Sequence, residues 1–518
     1  MQQTLQIGHA LQLMALQLGG GAMFILMLHK MALFVYVQTA LATTAGLLVA
    51  NSHDDTMATL CGVAKLMIHA FIVFFFCFLP SIGSSAADFH HQVAPPLFWE
   101  ESCPTNPTEY GLCWKKFAEL LPSAKKNIII AILDSGINYQ LPEISPYILI
   151  NEAELHGHQD EDEDSNGFAH DVFGWNFVTD ENGLTIDSLL PEYVRSKLLI
   201  ATNPQYTSDF TQRVEHEFVL QKKYFEFVLS TSNEPNLQNQ FQKLFIQPKP
   251  DPTISHGNND VRGNLDNHGT MMASIMTRLL AQLPVSYRQS IKILPVRVLP
   301  AEGDERDEDL AAAIKYATLR GANIISMSFG KNLSPKESLV QEAISIAQTK
   351  GVLFIHSSGN EGKNIDLHPQ YPRPLHSNSN WIQVGASSFQ INEHFIQMYS
   401  NFGFNNVDIF SPGESILGTK SDGKLVPNYG TSAATAIVAI TAAALWSSSK
   451  CENAKTVRQF IQTGSSRFPA LDVFPPTPIM QPLARTKVNF CTLSQTCGVL
   501  SPLAALRKSF EESSCQNP

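Results

Sequence analysis

The stretch "NIIIAILDSG", residues 127–136, decides the fold. Its residues from Ile128 to Leu133 are apolar without interruption and mostly β-branched, which is typical of a strand buried on both faces of a parallel sheet. The Asp-Ser-Gly sequence that follows indicates a turn at the end of the strand. We therefore predict a buried strand that ends just before Asp134.

The same signature recurs along the chain and alternates with helical patterns. Further strands are predicted at "IKILPVRVL" (291–299), "NIISMSFG" (323–330) and "VLFIHSSG" (352–359), and helices at "EDLAAAIKYATLRG" (308–321) and "ESLVQEAISIAQTKG" (337–351). This alternation predicts an α/β fold, in which a parallel β-sheet is flanked by helices on both faces. In such sheets the residues that bind ligands and catalyse reactions lie at the carboxyl ends of the strands.

Residues 183–262 interrupt this alternation of strands and helices. The stretch "DFTQRVEHEFVLQKKYFEFVLS" (209–230) predicts a helix that places Phe218, Tyr224, Phe225 and Val228 roughly on one face, and the polar stretch after it has little to pack. We interpret this segment as a partly helical surface insertion.

The composition indicates a globular protein and excludes one class of partner. The chain has 518 residues, of which 44% are hydrophobic and 16% charged, and its 36 basic and 47 acidic residues give a net charge of −11. Because no basic stripe is present, we expect no nucleic-acid partner.

The first part of the chain is apolar and resembles targeting sequence. In "KLMIHAFIVFFFCFLPSIGSSAADF" (65–89), a lysine precedes an apolar run that ends in small residues, which predicts a signal peptide at 67–87 and an exported protein, secreted or periplasmic. The apolar extension 1–66 is either an upstream over-extension of the reading frame or carries a membrane helix at 31–50. In the second case the N-terminal tracts would associate with a membrane.

The remaining chain divides into three predicted parts. A short N-terminal lead covers 88–120, the main domain 121–490, and a C-terminal tail 491–518. The lead is short for a folded inhibitory prosegment, so the activation route stays open.

Six cysteines fall in the predicted exported part. Disulfides are expected in an oxidising compartment, although the sequence leaves both their pairing and the alternative of free buried thiols open. These cysteines are Cys103, Cys113, Cys451, Cys491, Cys497 and Cys515.

Four polar residues lie where functional residues are expected in the predicted fold, at the ends of strands or at the starts of helices. Asp134 and Asn360 follow strands, and His268 and Ser432 begin predicted helices. Taken alone, the first two are ordinary turn residues, and the last two ordinary helix-start residues. Together they are the groups that acyl transfer needs: a carboxylate, an imidazole base, a nucleophilic hydroxyl and a donor for the oxyanion.

On these residues the chain resembles the subtilisin-like serine peptidases, the subtilases of the peptidase S8 family. The strings "ILDSG" (132–136), "NHGT" (267–270), "SSGN" (357–360) and "GTSAATA" (430–436) match the four signatures of that family in order. The similarity extends over roughly 121–490. It implies a subtilisin-like fold and a serine endopeptidase that acts on polypeptides and needs no cofactor for its chemistry.

The resemblance also implies a role for each matching residue. Ser432 would be the nucleophile, His268 the general base and then acid, Asp134 the group that orients the imidazole, and Asn360 an oxyanion donor. Residues that would bind the substrate backbone and side chains are Ser328, Phe329, Gly330, Ser358 and Gly359.

The chain departs from the family pattern at two kinds of position. The family usually has Met and Pro where this chain has Ala433 and Ala436, which changes packing near the serine but removes no reacting group. The insertion makes the separation between Asp134 and His268 longer than is common, and we expect it to restrict access or to recognise a particular substrate.

A structural calcium ion is a further prediction. In "DEDEDSNGFAHDVFGWNF" (160–177), Asp162, Asp164 and Asn166 alternate before Gly167, as in the first half of a calcium loop, and Asp171 follows. Some subtilases have a similar acidic stretch. The alternative is a solvated acidic loop.

Three other functions remain as alternatives. An inactive binding module on the same fold would be expected to have lost a triad member, and none is altered here. An esterase would be expected to show G-x-S-x-G with its acid and histidine after the serine, which is the reverse of the order here. A membrane-structural protein would leave the four ordered motifs without a purpose.

Overall fold

The computed structural model describes residues 95–158, 161–203, 206–231, 235–252, 257–263, 267–374, 380–448, 453–478 and 486–511. The chain divides into two compact units, and the described residues other than Ser230 and Thr231 belong to the unit of Pro95–Leu229 and Glu234–Pro518. The predicted signal peptide, the apolar extension, Cys451 and Cys515 lie outside the described residues.

Within the described residues, a nine-stranded sheet has the strand order β10-β13-β7-β6-β5-β4-β1-β3-β2. All neighbouring strands in it pair in parallel except β10, which is antiparallel to β13. Two antiparallel pairs, β8 with β9 and β11 with β12, stand apart from it. The strands are β1 (Ile128–Asp134), β2 (Trp175–Asn176), β3 (Ile291–Arg297), β4 (Ile324–Met327), β5 (Leu353–Ser357), β6 (Trp381–Ser387), β7 (Ile409–Pro412), β8 (Ile416–Thr419), β9 (Leu425–Asn428), β10 (Ser466–Arg467), β11 (Asp472–Val473), β12 (Val488–Asn489) and β13 (Gly498–Val499).

Helices cover both faces of the sheet. They are α1 (Trp114–Leu120), α2 (Glu152–Leu155), α3 (Glu192–Thr202), α4 (Ser208–Thr231), α5 (Pro235–Phe241), α6 (His268–Ala281), α7 (Val285–Ser290), α8 (Asp307–Leu319), α9 (Glu337–Thr349), α10 (Thr431–Ser448), α11 (Ala454–Thr463) and α12 (Pro502–Glu511). Helices α6 and α10 belong to the core on one face, and α8 and α9 to the core on the other.

Strand β1 shows why its sequence is apolar throughout. Ile128, Ile130 and Ile132 are buried in the core with α6 and α10, whereas Ala131 and Leu133 are buried in the core with α8 and α9. Because successive side chains of a strand point to opposite faces, a strand with helices on both sides must be apolar at every position. The predicted fold class is confirmed.

The strand order brings three polar loops together. Strand β4 lies between β1 and β5 and is parallel to both, so the carboxyl ends of the three strands meet at one edge. Asp134 ends β1, Ser328 directly follows β4, and Ser358 directly follows β5.

Helix α10 is apolar around its whole circumference. Among the described residues, α10 is the helix that is long and apolar enough to cross a bilayer, judged by length and composition. It is entirely buried. Core helices of this kind pass the same test, because a helix covered on all sides is hydrophobic on all sides.

The insertion packs around one aromatic side chain. The ring of Phe245 lies 5.4 Å from the rings of Phe218 and Phe225 and 6.0 Å from that of Tyr193. Two sequence expectations were wrong here: Tyr224 is exposed rather than on the packed face, and the stretch after α4 contains α5 and the buried Phe245. Tyr224 turns outward because the helical repeat carries it away from the face that holds Phe218.

The segment before β1 is part of the core. Trp99, Trp114 and Phe117 are fully buried, and the indole N–H of Trp114 donates to the carbonyl of Leu279 on α6 at 3.0 Å. Two disulfides join Cys103 to Cys113 and Cys491 to Cys497. For these four cysteines the structure resolves the pairing that the sequence left open.

Candidate active site

Asp134 and His268 form a hydrogen-bonded pair at the edge of the sheet. Oδ1 of Asp134 lies 2.7 Å from Nδ1 of His268 and also accepts the backbone N–H of Ser135 at 2.7 Å. The Asp134 side chain is 1% exposed and that of His268 27% exposed. When the carboxylate is ionised, Nδ1 donates to it, so Nε2 of the neutral imidazole is left as a proton acceptor.

A glycine allows this pair to form. A Cβ atom at Gly269 would lie 2.3 Å from the carbonyl oxygen of Gly136 and 3.2 Å from Oδ1 of Asp134. The backbone N–H of Gly269 donates to the hydroxyl of Ser135 at 3.1 Å. The start of α6 can therefore approach the end of β1 closely only because residue 269 has no side chain.

Ser432 is the second residue of α10 and is bound to the loop after β4. Its hydroxyl donates to the carbonyl of Ser328 at 2.8 Å, and the hydroxyl of Ser328 donates to the carbonyl of Ser432 at 3.2 Å. Helix α10 packs on α6, which carries His268, in the same core. The first N–H groups of a helix have no partner within it, and its dipole favours negative charge at that end.

Asn360 is oriented by the residue before Ser432. Its Oδ1 accepts from the backbone N–H of Thr431 at 2.9 Å and from the hydroxyl of Thr431 at 3.0 Å. A Cβ atom at Gly430 would lie 3.4 Å from Nδ2 of Asn360 and 3.7 Å from the backbone N of Ser432. The side-chain nitrogen of Asn360 and the backbone nitrogen of Ser432 therefore both lie near the space beside Gly430.

The predicted substrate-binding residues lie in the loops after β4 and β5. Ser328, Phe329 and Gly330 follow β4, and Ser358 and Gly359 follow β5. Gly359 has φ 99°, and a Cβ atom on it would lie 2.3 Å from Nδ2 of Asn401. Only glycine fits at that position, because the backbone is left-handed and the neighbouring amide is close.

The predicted calcium ligands divide into two groups. Oxygen atoms of Asp162, Asp164 and Glu154 lie within 4.8 Å of one another. Asp171 is buried instead against α8, where its carboxylate accepts from the hydroxyl of Tyr316 at 2.7 Å and forms an ion pair with Arg320.

Asn166 links the two groups. Its amide donates to Oδ2 of Asp164 at 3.1 Å and to Oδ2 of Asp171 at 3.2 Å. Glu154 was missed by sequence reasoning, because it lies in the short helix α2, outside the alternating acidic stretch that signals a calcium loop.

Comparisons with known proteins place the chain among peptidases of one family. A model described as "Subtilase family" matches residues 125–498, well over half of the chain. The chain is 31% identical over 206 residues to the thermophilic serine proteinase of Bacillus sp. (strain AK1), covering 38% of this chain and 47% of that protein. It therefore spans about half the length of that relative.

A second relative and one solved structure are similar over slightly more of the chain. Thermitase of Thermoactinomyces vulgaris is 28% identical over 238 residues, which cover 46% of this chain and 77% of that protein. The crystal structure of a cold adapted subtilisin-like serine proteinase aligns at 22% identity with a TM-score of 0.35, over 46% of this chain and 77% of that one.

Proposed function

Because this chain belongs to the subtilase family, we propose that it is a serine endopeptidase that hydrolyses peptide bonds through an acyl-enzyme intermediate on Ser432. The observation that carries this proposal is the 2.7 Å contact between Asp134 and His268, at the sheet edge where the hydroxyl of Ser432 is bound to the carbonyl of Ser328 after β4. A buried carboxylate on Nδ1 is what a histidine needs in order to act as a base through Nε2.

Each group has a defined role in the proposed reaction. His268 takes the proton of the Ser432 hydroxyl as that oxygen attacks the substrate carbonyl, and returns it to the leaving amine. Asp134 stabilises the imidazolium. The amide of Asn360 and the backbone N–H of Ser432 stabilise the oxyanion, and the dipole of α10 favours the same negative charge. Water then hydrolyses the acyl-enzyme by the same proton transfers.

The substrate of this reaction is an extended polypeptide. The backbone of Ser328 to Gly330 continues from β4 beside the nucleophile, and a peptide in β conformation would bind to it through main-chain hydrogen bonds. The insertion, which packs next to that backbone, would restrict or select the peptides that enter.

Two further parts of the proposal concern the context of the enzyme. We infer export through a signal peptide at 67–87, from the sequence pattern alone. We also infer a structural calcium ion held by Glu154, Asp162 and Asp164, because their oxygen atoms converge within 4.8 Å and carboxylate oxygens are the ligands that calcium prefers. The ion would brace the acidic loop and take no part in the chemistry.

Labelling with a fluorophosphonate probe tests the nucleophile. The purified protein should be labelled, and Ser432→Ala should not, because the probe reacts with an activated serine. Ser338→Ala, at an exposed position of α9, is the matched control and should be labelled normally. Labelling that persists in Ser432→Ala would remove Ser432 as the nucleophile.

A further inference from the structure

Lys331 directly follows the backbone of Ser328–Gly330, the substrate-binding backbone of the proposed reaction, and its side chain is only 2% exposed. Its Nζ lies 2.8 Å from Oε2 of Glu192 and 2.7 Å from Oδ1 of Asp307. It also donates to the carbonyl oxygen of Glu305 at 2.8 Å. The ammonium is therefore bound by three oxygen atoms from other segments of the chain.

These three partners come from two parts of the protein. Glu192 is the first residue of α3, in the insertion, whereas Asp307 begins α8 and Glu305 lies just before it. Helix α8 packs in the core on one face of the sheet. Lys331 thus joins the insertion to the main domain at the place where the substrate-binding backbone ends.

A second cation, Arg195 of α3, reaches the same point. It donates to the carbonyl oxygens of Asp304 at 2.9 Å and Glu305 at 2.7 Å, and it forms an ion pair with Glu192 at 2.8 Å. The carbonyl of Glu305 therefore accepts from both Arg195 and Lys331. The side chain of Asp304 also accepts the backbone N–H of Glu192 at 2.7 Å, so the start of α3 is fixed to the main domain by several contacts.

The ammonium of Lys331 stays charged in this cluster. Burial lowers its pKa, but the carboxylates of Glu192, Glu305 and Asp307 raise it more, so that the pKa lies above the usual range. A buried ion is held in one geometry, because movement would separate it from partners that solvent does not replace. The cluster is therefore a firm attachment, unlike an exposed ion pair.

The substrate-binding backbone is held at both of its ends. At one end, the carbonyl of Ser328 accepts the hydroxyl of Ser432 at 2.8 Å. At the other end, the N–H of Lys331 donates to the carbonyl of Tyr371 at 2.9 Å, and the N–H of Tyr371 donates to the carbonyl of Lys331 at 2.8 Å. Because the side chain of Lys331 is bound to α3, this backbone extends from the nucleophile to the insertion.

Helix α4 of the insertion binds the next residue of the same loop. The amide of Asn332 donates to Oε1 of Glu217 at 3.0 Å, and its carbonyl accepts from the guanidinium of Arg213 at 3.4 Å. Two helices of the insertion thus contact the loop directly after the substrate-binding backbone.

We propose that Lys331 is a positioning residue, which fixes the substrate-binding backbone to α3, so that the insertion determines how tightly an extended peptide binds on the acyl side of the scissile bond. The inference rests on the proposed peptidase function and deepens it. A backbone that is already in its bound conformation loses less conformational entropy when a peptide adds to it. Lys331 acts through this backbone and not on the reacting atoms, so its removal should weaken the binding of long peptides and spare the chemical step on short ones.

Peptides of two lengths test this role. We would measure kcat and KM of the full chain for fluorogenic peptides that share the residue before the scissile bond and have either one or four residues on its acyl side. The parent should cleave the longer peptide with the higher kcat/KM. In Lys331→Met this advantage should shrink about tenfold or more, through a higher KM for the longer peptide, while kcat on the shorter peptide stays within about twofold.

Lys336→Met is the matched control. Lys336 lies further along the same loop and pairs with Glu308 at the surface, so its removal should keep the advantage of the longer peptide. Glu192→Gln is the second variant, for the case that Lys331→Met does not fold. It keeps the shape of the side chain and should reduce the advantage several-fold. The thermal midpoint of each variant reports whether it is folded.

The double variant shows whether Lys331 acts through α3. If it does, Glu192→Gln combined with Lys331→Met should lose no more of the advantage than Lys331→Met alone, because both changes remove the same contact. Additive losses would show that Lys331 acts by another route and would overturn the inference.

The outcomes separate this inference from the peptidase function. If Ser432 is labelled by the fluorophosphonate but Lys331→Met and Glu192→Gln keep the full advantage of the longer peptide, the inference is overturned and the peptidase function stands. The same holds if the folded variants cleave both peptides less to an equal degree, because the loss is then independent of the extended substrate. If the parent is not labelled, the peptidase function fails, and the inference fails with it.

Discussion

Nδ1 of His268 and Oδ1 of Asp134 lie 2.7 Å apart, although the two residues are 134 positions apart in the chain. The contact joins the end of β1 to the start of α6, two elements of the same core. The whole insertion, with helices α3, α4 and α5, lies between the two residues in sequence.

Asp134→Asn should lower kcat by about 10⁴-fold while the fold is kept. An amide at this position no longer stabilises the imidazolium and favours the wrong tautomer of His268. The measurement is kcat on one peptide substrate, with the thermal midpoint as a check on folding. Asp209→Asn, at an exposed position of α4, is the control and should leave kcat unchanged. Equal turnover in Asp134→Asn and the parent would contradict the role of the carboxylate.

Asn360 should be tested with two substitutions, because its two amide atoms do different things. Oδ1 binds Thr431 at the start of α10, whereas Nδ2 is the proposed donor to the oxyanion. Asn360→Ala removes both, and Asn360→Asp keeps the acceptor but replaces the donor with a carboxylate.

Both variants should lower kcat by about 10²–10³-fold with little change in KM, because the donor acts mainly in the transition state. Steady-state kinetics on one peptide would measure this effect. If only Asn360→Ala lost activity, Asn360 would be a residue that positions α10 rather than an oxyanion donor.

The sequence was most informative where a single physical rule dominated. Strand β1 was predictable because burial on both faces demands an unbroken apolar run, and Asp134 stood out because a carboxylate ends that run. The helix starts at His268 and Ser432 were predictable from turn residues ahead of apolar segments. The catalytic roles of these residues stay predictions.

The sequence was least informative where the position of a residue depends on packing between distant segments. Glu154 joins Asp162 and Asp164 through the placement of α2, and Glu217 reaches the amide of Asn332 through the placement of α4. Neither contact leaves a local pattern. The outward turn of Tyr224 and the burial of Phe245 likewise depend on how α4 and α5 pack.

Calcium should raise the thermal midpoint of unfolding, and a chelator should lower it. An ion that binds only the folded protein stabilises it by about 2.7 kcal/mol at a hundred times its dissociation constant. Asp162→Asn should shrink the shift between calcium and chelator, since it removes one ligand charge, and Asp209→Asn should keep it. If neither calcium nor the chelator changed the thermal midpoint, the structural calcium ion would be excluded.

The stability of the fold should fall in mild acid because of His356. This residue of β5 is fully buried, and burial lowers the pKa of its imidazole from 6.5 to about 4. The unfolded chain binds a proton below pH 6.5 and the folded chain does not, so stability is complete above pH 6.5 and is lost as the pH falls toward 4. Between pH 7 and pH 5 the loss from this residue should be about 2 kcal/mol.

His356→Gln should flatten this pH dependence, whatever it does to stability at neutral pH. Denaturant unfolding at pH 7 and pH 5 gives the change in the free energy of unfolding for each variant. His368→Gln, at an exposed position, is the control and should keep the full dependence. If His356→Gln lost as much stability between the two pH values as the parent, the acid sensitivity would have to come from other groups.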